Sequence, residues 1–282
     1  MTHTMEMLGK TKVKVEDERV VEVGEPKIKY CPLFDKVRGI KEVTSQAAAG
    51  NMEFRIEKHG MFSPRRNLDM GTFVGFGASE SMMTEIVHGI IDAAVSVCDG
   101  AGTVITSNPE LIQGMGGYIS GLSETDPIPE VIEGIKTRKG HVLSPNDAKI
   151  DQLEGAKWAA ANGYSRFAVT VADADTAEKL REMEKGSGAR IMIIGVHLTG
   201  IGPKDAERLL AAADIVTGCA SLQIRAQVKP LIQVGTAVPL FGLTKWGKDL
   251  LVERAKEVEL PLLINTMPLP VLPEHKQPRP LV

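Results

Sequence analysis

Ala94-Val95-Ser96-Val97-Cys98-Asp99-Gly100-Ala101-Gly102-Thr103-Val104-Ile105-Thr106 is the stretch on which the fold turns. A run of small and β-branched residues ends on a thiol, a carboxylate and two glycines. The run reads as a buried strand, and the glycines let backbone N–H groups approach a phosphate. Two features stand against a dinucleotide fingerprint. Ile105 occupies the third small position, and Thr103 to Thr106 are β-branched where a helix should open. A tight turn that requires glycine and a ligand loop of another kind both stay open, and Asp99 directly after the strand keeps the second in play.

Three further apolar runs end in the same way. Phe167-Ala168-Val169-Thr170-Val171 leads to Asp173, Ile191-Met192-Ile193-Ile194 leads to His197, and Ile215-Val216-Thr217 leads to Cys219. Parallel strands would bring these ends to one sheet edge, where open α/β sheets bind ligands. Cys98, His197 and Cys219 are then the candidate catalytic residues, as nucleophiles or proton carriers. Asp99, Gly100, Gly102, Asp173 and Thr199 are the candidates for holding a cofactor. The glycine- and hydroxyl-rich turns at Thr199-Gly200 and Gly235-Thr236 suit a small anionic or nucleotide-like molecule. Each residue also has a plainer reading: a buried thiol can be a small hydrophobe, and a loop histidine can be merely hydrogen-bonded.

Strand-like runs at 93–98, 141–143, 166–171, 190–196, 214–217, 231–234 and 260–264 alternate with helical runs at 109–118, 127–136, 147–161, 175–185, 204–213, 219–227 and 244–257. Asn108-Pro109 and Ser144-Pro145 read as helix starts. The pattern predicts a mostly parallel, Rossmann-like sheet with helices on both faces over 61–265. A small α+β N-terminal lobe, 1–60, precedes it. There Val13, Val15, Val21 and Val23 alternate with charges around Asp17-Glu18-Arg19, predicting a hairpin, with a third strand at 27–30. A helix follows from Thr44 to His59, stopped by Gly60. Residues 67–77 read as loop and short strand, with Ser79 capping the next helix. Val74 to Glu80 reads as a capped structural turn.

Tyr30 to Ile40 is chemically varied for a linker. Cys31, Asp35 and Arg38 could form a substrate loop over the crevice, with Arg38 gripping an acidic ligand, or the stretch could be a packed connection held by Leu33 and Phe34. Residues 266–282 read as an extended proline-rich tail that docks on a surface, here taken as an arm crossing to a second subunit in a homodimer.

The chain has 282 residues and a net charge of −3, which removes the electrostatic case for nucleic acid or an anionic membrane. No apolar stretch approaches the roughly 20 residues that cross a bilayer, and no signal peptide is evident. Three scattered cysteines do not make a disulfide framework, so a reducing cytoplasm is expected. Without a Cys-x-x-Cys pair no metal site is assigned, and no pattern names a cofactor.

Tyr30-Cys31-Pro32-Leu33-Phe34-Asp35, Cys98 to Thr106, Ala168 to Asp173, His197-Leu198-Thr199-Gly200 and the closing Gln277-Pro278-Arg279-Pro280-Leu281-Val282 together resemble the archaeal methanogenesis marker protein 8 family, over nearly the whole chain. The resemblance implies a methane-producing archaeon, methanogenesis proteins as partners and a cytoplasmic role in that pathway. It carries no reaction and no catalytic residue. Two functions are therefore expected to compete. One is a group-transfer enzyme in coenzyme synthesis or repair; the other is a non-catalytic assembly or activation factor for methyl-coenzyme M reductase.

Overall fold

The computed structural model describes every residue of 1–282 except Phe73. The chain opens with three strands, β1 (Thr2–Met7), β2 (Thr11–Glu16) and β3 (Arg19–Val23), then helices α1 (Pro32–Arg38), α2 (Ser45–His59) and α3 (Ala78–Val87). A hairpin of β4 (Ala93–Cys98) and β5 (Gly102–Thr106) follows, then α4 (Pro109–Gly116), β6 (Gly121–Thr125), α5 (Pro129–Thr137), β7 (His141–Val142) and α6 (Gln152–Ala161). Next come β8 (Arg166–Val171), α7 (Ala174–Ser187), β9 (Arg190–Gly195), α8 (Pro203–Ala212) and β10 (Ile215–Thr217). The chain continues with α9 (Leu222–Gln227), β11 (Ile232–Val234), β12 (Leu240–Gly242) and α10 (Lys245–Lys256).

The strands form two sheets. The larger runs β11-β12-β10-β9-β8-β4-β5-β7 and the smaller runs β3-β2-β1-β6. The mostly parallel, Rossmann-like sheet expected from the sequence is overturned. Only the central β4, β8, β9 and β10 are parallel neighbours. The pairings β4–β5, β5–β7, β10–β12 and β11–β12 are antiparallel, as is every pairing of the smaller sheet. The cause lies in the opening stretch. Gly100 and Gly102 take φ of +79° and +71°, and the β-branched run after them folds back on β4, with Cys98 opposite Gly102. What could have been a strand-to-helix phosphate loop is a hairpin turn.

Alternation along the central strands divides the core. Ala94, Ala168 and Met192 pack with α3, α4, α5 and α10, while Val95, Val169 and Ile193 pack with α6, α7, α8 and α9. Strands buried on both sides need apolar residues at every position, which is why they read as continuous runs.

The smaller sheet is assembled from both ends of a long excursion: β6, from between α4 and α5, pairs with β1. Its core holds Met5, Val13, Val15, Met52 and Ile56, and it reaches Ala220 and half-buried Val97 at the ends of the parallel strands. The small sheet thus sits across the carboxyl edge of the large one.

Several local expectations differ from the structure. Residues 27–30 make only an isolated bridge, Tyr30 to Arg279, rather than a strand. Residues 260–264 have no strand partner among the described residues and lie exposed. Gly77, not Ser79, precedes the first turn of α3, and Ser144-Pro145 opens a turn rather than a helix. Between 67 and 77, where Phe73 lies outside the described residues, the others form no strand. Glu80 does close the turn before α3, its Oε1 accepting from Val74 N at 3.1 Å. Among the described residues no helix is long and apolar enough to cross a membrane.

Candidate functional site

The parallel strands β9 and β10 run into residues with an uncommon backbone. His197 takes φ of +59° and Cys219 takes φ of +39°, in the left-handed region that side chains normally avoid. Each such residue costs about 1–3 kcal/mol and persists where the surroundings over-determine it, often at functional sites. For His197 the surroundings are clear. Its Nε2–H donates to Glu6 Oε2 at 2.8 Å, and a Cβ added at Gly121 of β6 would stand 2.3 Å from the ring. Only a glycine there lets the small sheet close on the imidazole.

The pair is neither sealed nor free: the His197 side chain is 18% exposed and that of Glu6 33%. The hydrogen bond from His197 holds the Glu6 carboxyl below its usual range against the opposing effect of burial, helped by the charges of Lys10 and Lys27. Lys10 Nζ stands 3.6 Å from Glu6 Oε2 and donates to Thr199 O at 2.8 Å. With Nε2–H committed to Glu6, the imidazole presents Nδ1 as its basic atom. A carboxylate, an imidazole and an ammonium therefore meet at the strand ends.

The other residues singled out in the sequence are placed as follows. Cys98 is wholly buried, its thiol donating to Asp99 O at 3.3 Å. Burial and then the Asp99 charge push that thiol far above its ordinary range, so it stays protonated. Asp99 is also wholly buried and accepts from Phe62 N at 2.7 Å and Arg66 Nε at 2.9 Å. The N–H of Gly100 donates to Thr125 Oγ1 at 2.8 Å, and Gly102 fits against Ala148 O, which would be 2.1 Å from an added Cβ. The turn at 98–102 thus fastens the two sheets together. Asp173 is exposed and caps α7, accepting from Thr176 N at 2.8 Å.

Thr199 and Cys219 lie on the turns that follow the neighbouring strands β9 and β10. Thr199 Oγ1 accepts from Ala220 N at 3.2 Å, and Cys219 Sγ lies 3.3 Å from Thr217 Oγ1. Buried Arg225 donates to Cys219 O from Nε at 3.0 Å and to Ala237 O at 2.8 Å. The proposed loop at 30–40 contains α1, with Cys31 just before its first turn. Burial raises the Cys31 thiol. Asp35 accepts from the Tyr30 hydroxyl at 3.1 Å, and the Arg38 guanidinium lies 3.6 Å over the Phe54 ring. Arg38 is thus packed on an aromatic face in this structure.

The tail returns to the same edge. Val282 N donates to Ala220 O at 3.0 Å, and Val282 O accepts from Leu222 N at 2.9 Å and Gly200 N at 3.2 Å. Among the described residues no group of three or more His, Cys, Asp or Glu side chains is arranged to hold a metal ion.

Glu6, Lys10 and Gly121 are not legible as site residues in the sequence. Glu6 and Lys10 look like the charged positions of a hairpin face, and Glu6 is separated from His197 by 191 positions. Only the docking of the small sheet joins them.

Similarity to known proteins spans nearly the whole chain. Residues 3–256 match the family described as "Uncharacterized protein conserved in archaea (DUF2099)". The chain is also 47% identical over 283 residues, 99% of each sequence, to a protein of Methanocaldococcus jannaschii named "Uncharacterized protein MJ0054". Likeness of that extent leaves one conclusion: the chain belongs to this family of proteins conserved in archaea.

Proposed function

We propose that the protein binds a small anionic molecule where the small sheet covers the ends of β9 and β10, and that His197 moves a proton there during group transfer. One observation carries the reading: an imidazole in a strained backbone conformation, oriented by a half-exposed carboxylate and flanked by an ammonium. Glu6 fixes the orientation of the ring, as an acidic partner does for a catalytic histidine. Lys10 and exposed Lys27 outnumber Glu6, which favours an anionic ligand. The resemblance to methanogenesis marker protein 8 and the relative in Methanocaldococcus jannaschii support a setting in cytoplasmic coenzyme chemistry of methane production.

Thermal shift against adenosyl, nicotinamide and methanogenic coenzymes tests this. A ligand at 100 times its Kd adds about 2.7 kcal/mol of stability. The expected result is a raised Tm with at least one coenzyme, and turnover of it that His197→Gln abolishes with folding intact. Silence across the panel, or full turnover by His197→Gln, overturns the reading.

A second reading, an assembly or activation factor for methyl-coenzyme M reductase, is favoured by a different observation. Residues 259–268 are all exposed and include Leu260, Leu262, Leu263, Ile264 and Met267. An extended apolar ribbon of this kind suits docking on another protein or on a second copy. Sedimentation with and without purified reductase separates these outcomes. A lone monomer in both runs would eliminate the second reading.

A further inference from the structure

Asn51, Arg55 and His59 recur every four residues along α2 and so share one stripe of the helix. The stripe faces the segment from Tyr118 to Ser120 that leads into β6. Arg55 is only 7% exposed. Its Nε donates to Asn51 Oδ1 at 3.0 Å, and its Nη1 donates to Tyr118 O and, at 3.3 Å, to Ser120 Oγ. Nη2 has no acceptor among the described residues, and no carboxylate there lies within ion-pair distance of the guanidinium. Burial, then the positive charges of Arg38 and Arg66, lower its pKa to about 10.

His59 stands on the same stripe, stacked on Tyr118 with ring centroids 3.5 Å apart. Its Nε2 is buried without a hydrogen-bond partner among the described residues. Burial, with the charges of Arg66, Arg38, Arg55 and Lys58, takes its pKa down to about 4. Arg66 is answered by Asp99. Arg55 is not.

A buried charge without a counter-charge is costly, and a guanidinium cannot escape by losing its proton at neutral pH. Arg225 and Arg254 are also buried with only uncharged acceptors among the described residues, so the lack of a counter-charge is not by itself a site. Beside Arg55, however, the unpartnered Nε2 of His59 adds a second vacant polar position on the same stripe. Two N–H groups on Nη2 form one arm of the fork that matches a pair of oxygens, and a ring N–H at His59 Nε2 would supply another donor.

We infer that Arg55, His59 and Ser120 form a subsite for an oxyanion, the phosphoryl or carboxylate group of a small molecule. The subsite adjoins the proton-transfer centre, since Ser120 precedes Gly121, whose backbone packs against His197. The inference rests on the function proposed above only for which molecule carries the oxyanion; the binding itself stands on Arg55.

The test titrates the intact protein with inorganic phosphate and, separately, with citrate, read by thermal shift and calorimetry. Wild type should bind one of the two. Arg55→Met should weaken that binding at least about tenfold, Arg55→Lys should weaken it less, and His197→Gln should leave it unchanged. Circular dichroism checks that each variant folds, and Arg55→Lys serves if Arg55→Met does not. Because an anion beside His59 favours its charged form, sulfate, which keeps both charges, should bind more tightly as pH falls from about 7 to about 5. The groups facing His59 in that titration are Arg55 and Lys58 of its own helix, Arg38, Arg66 and Tyr118.

Unaltered binding in Arg55→Met, or no binding of any of the three ions by wild type, overturns the subsite. A sulfate affinity indifferent to pH removes His59 from it. Loss of turnover in His197→Gln with phosphate binding retained would separate this inference from the proton-transfer reading.

Discussion

Arg66 and Arg55 are both buried guanidiniums beside the small sheet, and their surroundings differ in one respect. Arg66 meets the carboxylate of Asp99, which also takes the N–H of Phe62. Arg55 meets an amide oxygen, a carbonyl and a hydroxyl, all uncharged. The first arrangement locks the small sheet to the end of β4. The second leaves a charge for an incoming molecule to neutralise. Burial of charge alone therefore does not distinguish these two arginines; the partner does.

The largest expected effect breaks the locked side. Asp99→Ala strands Arg66 in the interior and removes the acceptor for Phe62 N, and it should cost about 3–5 kcal/mol in urea unfolding. A loss below about 1 kcal/mol would mean that Asp99 does not hold the sheets together.

The next effect asks whether the same contrast governs carboxylates. Glu85 on α3 is wholly buried, and neither of its oxygens has a hydrogen-bond partner among the described residues. Burial, followed by the charges of Glu253 and Asp249, raises its pKa from 4.5 to about 8. The folded state then holds a proton that the unfolded chain releases, so stability falls as pH rises from about 4.5 to about 8. Glu85→Gln should abolish that fall and be the more stable protein above pH 8. Equal melting temperatures of the two proteins at high pH would refute the assignment.

The smallest effect sharpens the comparison most. Arg55→Met exchanges an unpaired charge for an apolar side chain of similar length, and losses of hydrogen bonding and of desolvation oppose each other. Its stability without ligand should stay within about 1 kcal/mol of wild type, whereas Arg66→Met should fall by several times that amount. Comparable losses in the two variants would erase the distinction between lock and subsite.

Much of the central sheet was legible in the sequence. The spans 93–98 and 166–171 coincide with β4 and β8, because strands buried on both faces need unbroken apolar runs. The hairpin partner β5 was missed since Gly100 and Gly102 serve a phosphate loop and a tight turn equally well; the β-branched run after them was the deciding signal. Strand β6, with one apolar residue in Gly121-Leu122-Ser123-Glu124-Thr125, carried little periodicity, and its partner β1 lies at the other end of the excursion. The segment 260–264 looked like a strand by composition, yet a strand needs a neighbour to hydrogen-bond, and none is present there among the described residues.

The sequence could point only to residues that follow a strand end. His197 and Cys219 follow the neighbouring strands β9 and β10, and the left-handed backbone of both was beyond any sequence pattern. Asp99 was read as facing a ligand, and it faces Arg66 and Phe62 N because the small sheet closes over it. Arg55 and His59 passed as ordinary positions of an amphipathic helix. Their meaning comes from the acidic residue that is missing beside Arg55.

The exposed ribbon at 259–268 is tethered at both ends. α10 holds it upstream, and downstream Gln233 grips Val271, Arg225 grips Gln277, and Val282 bonds to Ala220 and Leu222. A single proteolytic nick in the ribbon would therefore not release the terminal piece. The cleaved protein should migrate as one species under native conditions and as two fragments only after denaturation, which gives a simple route to a two-chain form with the sheet edge still covered.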